Sequence, residues 1–168
     1  HSGLFARQVR NGDGLQAILA DYFGVAARVE SFVGHWMRLP EAERTRLGSG
    51  SMGARLGFGV VLGARVWDRQ HQFRIRLGPM GLADYEAFLP GGQSLPRLLA
   101  LVRQYLCFEL DWDVRLVLRR PEVPALRLGG GQRLGWTSWL GRPRGEGDPA
   151  PRALHAEEVL ARRARKVH

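Results

Sequence analysis

Few residues in this sequence have the types and spacing that catalysis requires. Asp111 and Asp113 flank Trp112, so on a β-strand the two carboxylates share one face and could act as an acid–base pair. The predicted strands also carry many arginines, including Arg74 and Arg115, and exposed cross-strand Asp–Arg pairs are the commoner use of such aspartates. We therefore predict structural ion pairs at this position.

The cysteine and the histidines indicate no reactive site. Cys107, the single cysteine, lies on the apolar side of a predicted helix at its end, which favours an inert buried thiol. His35 on a predicted strand and His71 at a predicted turn lack a second metal ligand at helical or hairpin spacing. We predict ordinary polar roles for both histidines, and no catalytic set, no metal site and no cofactor.

A glycine-rich segment matches the pattern of a dinucleotide-binding loop. Gly48-Ser49-Gly50-Ser51-Met52-Gly53 has the G-x-G-x-x-G spacing, which needs a strand before it and a helix after it. Here Glu41 to Leu47 has a helical pattern, and residues 54–59 are short and broken by glycine. The context therefore favours a simple loop.

Basic charge is the other feature that suggests a ligand. The 168 residues include 25 basic and 16 acidic side chains, a net charge of +9, and all the basic residues except Lys166 are arginines. Arginines alternate with apolar residues at 74–76 and 65–67, as on a nucleic-acid stacking platform. However, no RNA-binding signature occurs, and Arg, Gly, Ala and Pro share GC-rich codons. A basic nucleic-acid-binding module therefore remains the alternative function.

The N-terminal part of the chain predicts a helix and then a strand. Apolar residues recur at helical spacing at Leu15, Ile18, Leu19 and Tyr22. Asn11 or Asp13 can cap this helix, and Gly24 can end it. Residues 25–37 alternate imperfectly, which predicts one strand with two useful faces.

The middle of the chain predicts a long connection and a hairpin. Residues 38–59 combine a short polar helical stretch with glycines and serines. The clearest strand has apolar residues at a period of two, at Phe73, Ile75 and Leu77. We predict Val60–Trp67 as its hairpin partner, with a turn at Asp68–Gln70, and an end at Gly78-Pro79.

The C-terminal half predicts two helices, further strands and a tail. A short helix covers Leu82–Leu89, and a longer one begins at Ser94 with a buried face of Leu95, Leu98, Leu99, Val102 and Leu106. Strands are predicted from Trp112 to Leu118 and from Leu134 to Leu140. Prolines and glycines then predict a flexible or partly helical basic tail over 142–168, after a domain at 1–141.

Together these elements predict an α+β fold with a mainly antiparallel sheet and helices packed on one face. The length suits one domain, and the apolar runs are far shorter than a membrane-spanning helix requires. One cysteine and no signal-peptide pattern favour a cytoplasmic protein. The chain lacks an initiator methionine, and one interpretation is that it is a fragment of a longer protein.

Five tryptophans are candidates for both core and interface. We predict core packing for each one by default. Trp136 and Trp139 lie where the domain should close, and aromatic anchors are favoured in interfaces. We therefore expect a partner to cover at least one tryptophan.

Eight stretches occur in an order that suggests a known family. They are residues 3–5, 21–25, 32–36, 61–70, 73–79, 88–90, 110–113 and 134–140, and the most distinctive are 61–79 and the LGWTSWL segment at 134–140. Together they resemble the C-terminal half of the TssG family of bacterial type VI secretion baseplate proteins. The arginine-rich tail departs from the family pattern.

The resemblance implies a structural subunit without enzyme activity, located in the cytoplasm at the baseplate docked on the inner membrane. Members of the family join TssF and TssE in a wedge that engages TssK and surrounds the puncturing VgrG spike. Because loops of the wedge dock onto TssK, we assign that role to the connection Leu39–Gly59. The candidate partner-binding residues are Leu39, Arg44, Arg46, Leu47, Met52, Leu56 and Phe58. Arginines elsewhere then suit protein interfaces, where they are enriched.

Overall fold

The computed structural model describes residues 11–45, 63–106, 110–126, 129, 131–139, 149 and 154–155. The chain divides into a larger unit, His1–Ser31 with Phe73–His168, and a smaller unit, Phe32–Gln72. Within these residues the helices are α1 (Gly12–Phe23), α2 (Leu82–Ala87) and α3 (Ser94–Tyr105), and the strands are β1 (Ala27–Glu30), β2 (His35–Arg38), β3 (Arg65–Asp68), β4 (Gln72–Met80) and β5 (Asp111–Leu118). Short 3-10 turns cover Glu41–Glu43 and Arg120–Glu122. This arrangement confirms the α+β class.

Helix α1 follows its local sequence signals closely. The side chain of Asn11 accepts a hydrogen bond from the Gly14 amide at 2.9 Å, so Asn11 rather than Asp13 caps the helix. Gly24 ends it in the left-handed conformation, with φ of 63°. Of the predicted apolar stripe, Leu15, Ile18 and Leu19 are buried and Tyr22 is exposed.

A three-stranded sheet in the order β1-β4-β5 forms the centre of the larger unit. Strands β1 and β4 are antiparallel, in a register that joins Ala27 to Leu77 and Glu30 to Arg74. The contacts between β4 and β5 run in the same order along both strands: Arg74 binds Asp113, and the Arg119 amide donates to the Met80 carbonyl. Strands β4 and β5 are therefore parallel neighbours, and α2 and α3 form the connection between them.

The core of the larger unit lies where helices and sheet meet. Helix α1 contacts β1 and α3, and α2 contacts β5. Among the fully buried side chains are Leu15, Leu19, Ile75, Leu77, Tyr85, Leu95, Leu98, Leu116 and Leu118. On α3 the predicted buried face is confirmed except at its end, where Tyr105 is buried and Leu106 only partly so, because the backbone is already extended at Leu106. The Tyr105 hydroxyl donates to the Asn11 carbonyl at 3.1 Å.

The predicted strand over 25–37 is wrong as a single element. It is broken into β1 and β2, which belong to different sheets. Phe32 lies at the break with φ of 59°, a conformation that bulky residues rarely adopt. Alternation continued across the break in the sequence, so the pattern did not show it.

The predicted hairpin is also wrong. Strand β3 pairs with β2 in a separate two-stranded antiparallel sheet, and β4 pairs with β1 instead. Strand β4 also continues past the predicted end, through a cis Gly78–Pro79 bond to Met80. Gly78 has φ of 115° and packs against the Val117 carbonyl, so this position needs glycine.

The segment predicted as the last strand forms a turn at 134–137 instead, and among its other described residues Trp139 makes an isolated parallel β-bridge to Ala125. The Arg133 amide donates to Thr137 Oγ1 at 2.8 Å, so the chain folds back on itself. The Tyr85 hydroxyl donates to the Trp136 carbonyl at 3.1 Å, and burial raises the pKa of Tyr85 to about 12. This hydrogen bond fastens the turn to α2.

The structure describes three residues of the predicted tail, Pro149, Leu154 and His155. Leu154 is buried and exchanges backbone hydrogen bonds of 2.8 and 2.7 Å with Val114 on β5. The flexible or partly helical character of 142–168 as a whole stays a prediction. Within the described ranges, no helix has the length and apolar character needed to cross a membrane.

Candidate partner-binding surface

The aspartates that flank Trp112 form no dyad in the structure. Asp113 is 2% exposed and binds Arg74 in two places, with Nε to Oδ1 at 2.6 Å and Nη2 to Oδ2 at 2.8 Å. Asp111, at the start of β5, is exposed. The predicted Asp–Arg pair is confirmed, although it is buried rather than exposed.

This ion pair joins β4 and β5, two neighbouring strands of the larger unit. The hydrogen bonds from Arg74 to Asp113 raise the pKa of the arginine, and Glu30 on β1, directly opposite Arg74, adds to the rise. Two parallel N–H···O bonds to one carboxylate are the strong geometry for arginine. Arg74 therefore has a structural role between strands.

The two histidines of the fold meet at one carboxylate in the smaller unit. Asp68 Oδ2 accepts from the His71 amide at 3.0 Å and lies 3.8 Å from His35 Nδ1, while Asp68 Oδ1 lies 3.1 Å from His71 Nδ1. The amide of His71 chiefly holds the pKa of Asp68 below its usual value. In the part of the chain that the structure describes, no group of three His, Cys, Asp or Glu side chains is arranged to hold a metal ion.

The five tryptophans divide into covered and uncovered ones. Trp112 is buried and stacked on Phe73, while Trp136 and Trp139 are partly buried against the core. Trp36 and Trp67, in the smaller unit, are 61% and 53% exposed. The exposed pair is therefore Trp36 and Trp67, whereas the sequence drew attention to Trp136 and Trp139.

The exposed tryptophans lie opposite each other on the ribbon formed by β2 and β3. In its register Trp36 pairs with Trp67, and Arg38 pairs with Arg65. Residues two apart on a strand share a face, so all four side chains lie on one side of the ribbon. We call this surface the aromatic–arginine face: Trp36, Arg38, Arg65 and Trp67.

The geometry of the aromatic–arginine face is well defined. The two indole rings meet edge to face, with centroids 5.3 Å apart and planes at 68°. A Cβ at Gly34 would collide with the Trp67 ring, so glycine there lets the ring lie close to the backbone. Both arginines are exposed, and like charges directly opposite in a ribbon are unfavourable in isolation. This surface combines the residue types that dominate interface hot spots.

Two of the seven predicted partner-binding residues lie in described parts of the chain. Leu39 is 8% exposed, and its amide donates to the Ala64 carbonyl at 3.0 Å. Arg44 is partly buried, and its Nε donates to the Leu39 carbonyl at 3.1 Å. The other five candidates lie outside the described residues: Arg46, Leu47, Met52, Leu56 and Phe58. Cys107 and the glycine-rich segment at 48–53 also lie outside them.

Comparison with known proteins identifies the family. A family model described as type VI secretion, TssG, matches residues 1–141. The chain belongs to the TssG family. None of the curated proteins matches it.

Solved structures of the secretion baseplate share the fold of this TssG-family chain. A chain of the type VI secretion system TssK-TssF-TssG baseplate subcomplex, determined by cryo-electron microscopy, is 23% identical with a TM-score of 0.65, over 89% of this chain and 63% of that chain. A chain of the baseplate complex from the type VI secretion system is 24% identical with a TM-score of 0.54, over 90% of this chain and 44% of that one. This sequence thus spans less than two thirds of the length of either structure.

Sequence reasoning missed the aromatic–arginine face because it depends on strand pairing. Trp36 and Trp67 are far apart in the sequence, and each looked like an ordinary strand residue. A signal for it was present in the sequence: Trp-x-Arg at 36–38 is mirrored by Arg-x-Trp at 65–67. In an antiparallel pair this mirrored order places tryptophan opposite tryptophan and arginine opposite arginine.

Proposed function

We propose that this protein is a structural subunit of the type VI secretion baseplate wedge, without catalytic activity. It acts as a scaffold that joins TssF and TssE and docks TssK while the contractile injection machine assembles, next to the VgrG spike. The supporting observation is the TssG family match over residues 1–141. The fold shared with a chain of a TssK-TssF-TssG subcomplex agrees with it. Its site of action is the cytoplasmic face of the inner membrane.

Co-purification tests this proposal most directly. The TssG-family protein in its full length, tagged and expressed with TssF and TssK from the same organism, should elute with both as one species. Separate expressions with TssE and with VgrG test the two further contacts. If the folded protein elutes without TssF and TssK, the proposed function is wrong.

The connection Leu39–Gly59 is proposed to dock TssK. Its start is held in place, because the Leu39 amide bonds to Ala64 next to β3 and Arg44 bonds back to Leu39. Replacing residues 46–59 with a short Gly-Ser link keeps those contacts and removes most of the candidate side chains. We expect a folded protein with weakened TssK capture and unchanged TssF capture. Unchanged TssK capture would refute this role.

The alternative of a nucleic-acid-binding module loses part of its support in the structure. The predicted basic stripe at 74–76 depends on Arg74, whose guanidinium is already bound to Asp113. Binding to an arbitrary oligonucleotide should therefore be weak, with a shallow dependence on salt. A steep logarithmic salt dependence would support the alternative instead.

A further inference from the structure

We propose that the aromatic–arginine face binds an acidic segment of another protein chain. Carboxylates of that segment pair with Arg38 and Arg65, while an apolar side chain packs on Trp36 and Trp67. The inference rests on the proposed function only in requiring a protein partner, and it does not involve the connection 39–59.

The tryptophan pair supplies the apolar part of this surface. Two large aromatic side chains more than half exposed, side by side, are unusual on a surface that has no partner. Their edge-to-face contact and the close approach of Trp67 to Gly34 restrict the rings before any partner arrives. Restricted side chains lose less entropy on binding, which favours an interface role.

The arginine pair determines the charge of the partner. Arg38 and Arg65 lie opposite each other, and neither forms an ion pair with another described residue. Asp68, the carboxylate of the ribbon, follows Trp67 directly on β3 and lies opposite His35, so strand alternation places it on the opposite face. The aromatic–arginine face therefore carries two positive charges without a described counter-charge, and a partner with carboxylates would neutralise them through strong hydrogen bonds.

Spacing along the ribbon gives the partner its pattern. Trp36 and Arg38 are two residues apart on β2, as are Arg65 and Trp67 on β3, so the aromatic and charged pairs are separated by about 7 Å. An extended segment with an apolar residue and an acidic residue at alternate positions repeats this spacing. Such a segment can place an apolar side chain over the indoles and a carboxylate between the guanidinium groups.

A protein segment suits this face better than nucleic acid. Single-stranded nucleic acid is bound by a basic groove that follows the backbone and by aromatic rings that accept successive bases. Here the rings contact each other at 5.3 Å, which leaves no gap for a base between them. The aromatic–arginine face itself carries one pair of arginines, Arg38 and Arg65, rather than a row of basic residues that could follow a nucleic-acid backbone.

Binding of a synthetic probe to the full 168-residue chain tests the inference. The probe is a short fluorescein-labelled peptide that alternates glutamate with leucine, followed by fluorescence anisotropy. The matched probes are the same peptide with glutamine for glutamate, and labelled oligo(dT) of equal charge. We expect the acidic peptide to bind at least about tenfold more tightly than the glutamine peptide or oligo(dT).

Variants locate the binding on the ribbon. The double variants Trp36→Ala/Trp67→Ala and Arg38→Gln/Arg65→Gln should each lower affinity for the acidic peptide about tenfold or more. The control Arg76→Gln/Arg97→Gln removes the same charge at exposed positions outside the ribbon and should leave affinity within about twofold. All replaced side chains are exposed, so circular dichroism should show unchanged folding.

Each other result overturns the inference. The inference is wrong if the acidic peptide does not bind, or if the glutamine peptide binds equally well. It is also wrong if oligo(dT) binds more tightly than the acidic peptide, or if the control variant loses as much affinity as the ribbon variants. These failures are distinguishable from failure of the proposed function. Loss of co-purification with TssF and TssK, with peptide binding intact, would refute the function and leave the acidic-segment site standing.

Discussion

Trp112 and Arg74 in the larger unit have environments opposite to those of the tryptophans and arginines of the aromatic–arginine face in the smaller unit. In the larger unit Trp112 is buried against Phe73, and Arg74 is bound to the buried Asp113. In the smaller unit the tryptophans and arginines of the aromatic–arginine face are exposed. The same residue types therefore hold one unit together and form a surface on the other, and burial rather than residue type separates these roles.

The difference follows from the sheets that carry these residues. Strand β5 is buried on both faces along most of its length, so its polar side chain at 113 requires a partner inside the protein. The ribbon of β2 and β3 has only four residue pairs, and two-stranded ribbons bury little surface by themselves. Large side chains on such a ribbon contribute little to stability and remain available to a partner.

Replacing tryptophans in the two units should give the largest contrast. Trp112→Ala removes a buried ring stacked at 6.4 Å on Phe73, and should cost about 3–5 kcal/mol of unfolding free energy. The matched change Trp36→Ala in the ribbon should cost less than about 1 kcal/mol, since that side chain is mostly exposed. Urea unfolding followed by circular dichroism measures both. Similar losses would show that burial does not separate the two tryptophans.

Removing the charge of Asp113 should have the next largest effect. Asp113→Asn removes the carboxylate charge that the guanidinium of Arg74 binds in two places, at a mostly buried position where the arginine side chain is 22% exposed. Breaking a buried pair in this way costs about 3–5 kcal/mol, and we expect about 3 kcal/mol because water still reaches Arg74. The control Asp111→Asn, at an exposed position on the same strand, should cost less than about 0.5 kcal/mol. Equal urea midpoints for the two variants would contradict a structural role for the pair.

Local sequence signals predicted the helices of the larger unit and the alternating parts of β4 and β5, but not its last strand or the break after β1. The cap at Asn11, the stop at Gly24 and the alternation in β4 and β5 depend on neighbours within a few residues. The pairing of β3 depends instead on which distant strand it meets. Its alternation of apolar and polar residues was as compatible with pairing to β4 as with pairing to β2. The candidate surface was missed for the same reason, whereas the residues assigned within 39–59 rest on family resemblance and stay a prediction.

A methyl group added at Gly34 should show whether peptide binding depends on the position of the Trp67 ring as well as on its presence. In Gly34→Ala the new methyl group meets the end of the Trp67 ring, which is exposed and can swing outward. We expect a stability cost below about 1 kcal/mol, together with loss of the edge-to-face contact between Trp67 and Trp36. Near-ultraviolet circular dichroism and acidic-peptide affinity measure this, and affinity should fall about threefold, less than in the double tryptophan variant. Full affinity would show that the ring orientation is unimportant.

Protonation of Asp68 should have the smallest effect, confined to the turn that follows β3. The pKa of Asp68 is lowered chiefly by the His71 amide, so the ionised carboxylate stabilises this turn at pH above the unfolded value of about 4. The stabilisation is lost as pH falls through the lower pKa of the folded state.

The NMR shift of the His71 amide should therefore titrate with a midpoint below that of an ordinary aspartate, and Asp68→Asn should abolish the transition. A midpoint at or above the ordinary value would contradict the hydrogen bond. The amides of Val114 and Leu118 in β5 donate to the carbonyls of Leu154 and Pro149. Neither hydrogen bond involves Asp68, so neither amide should follow this transition.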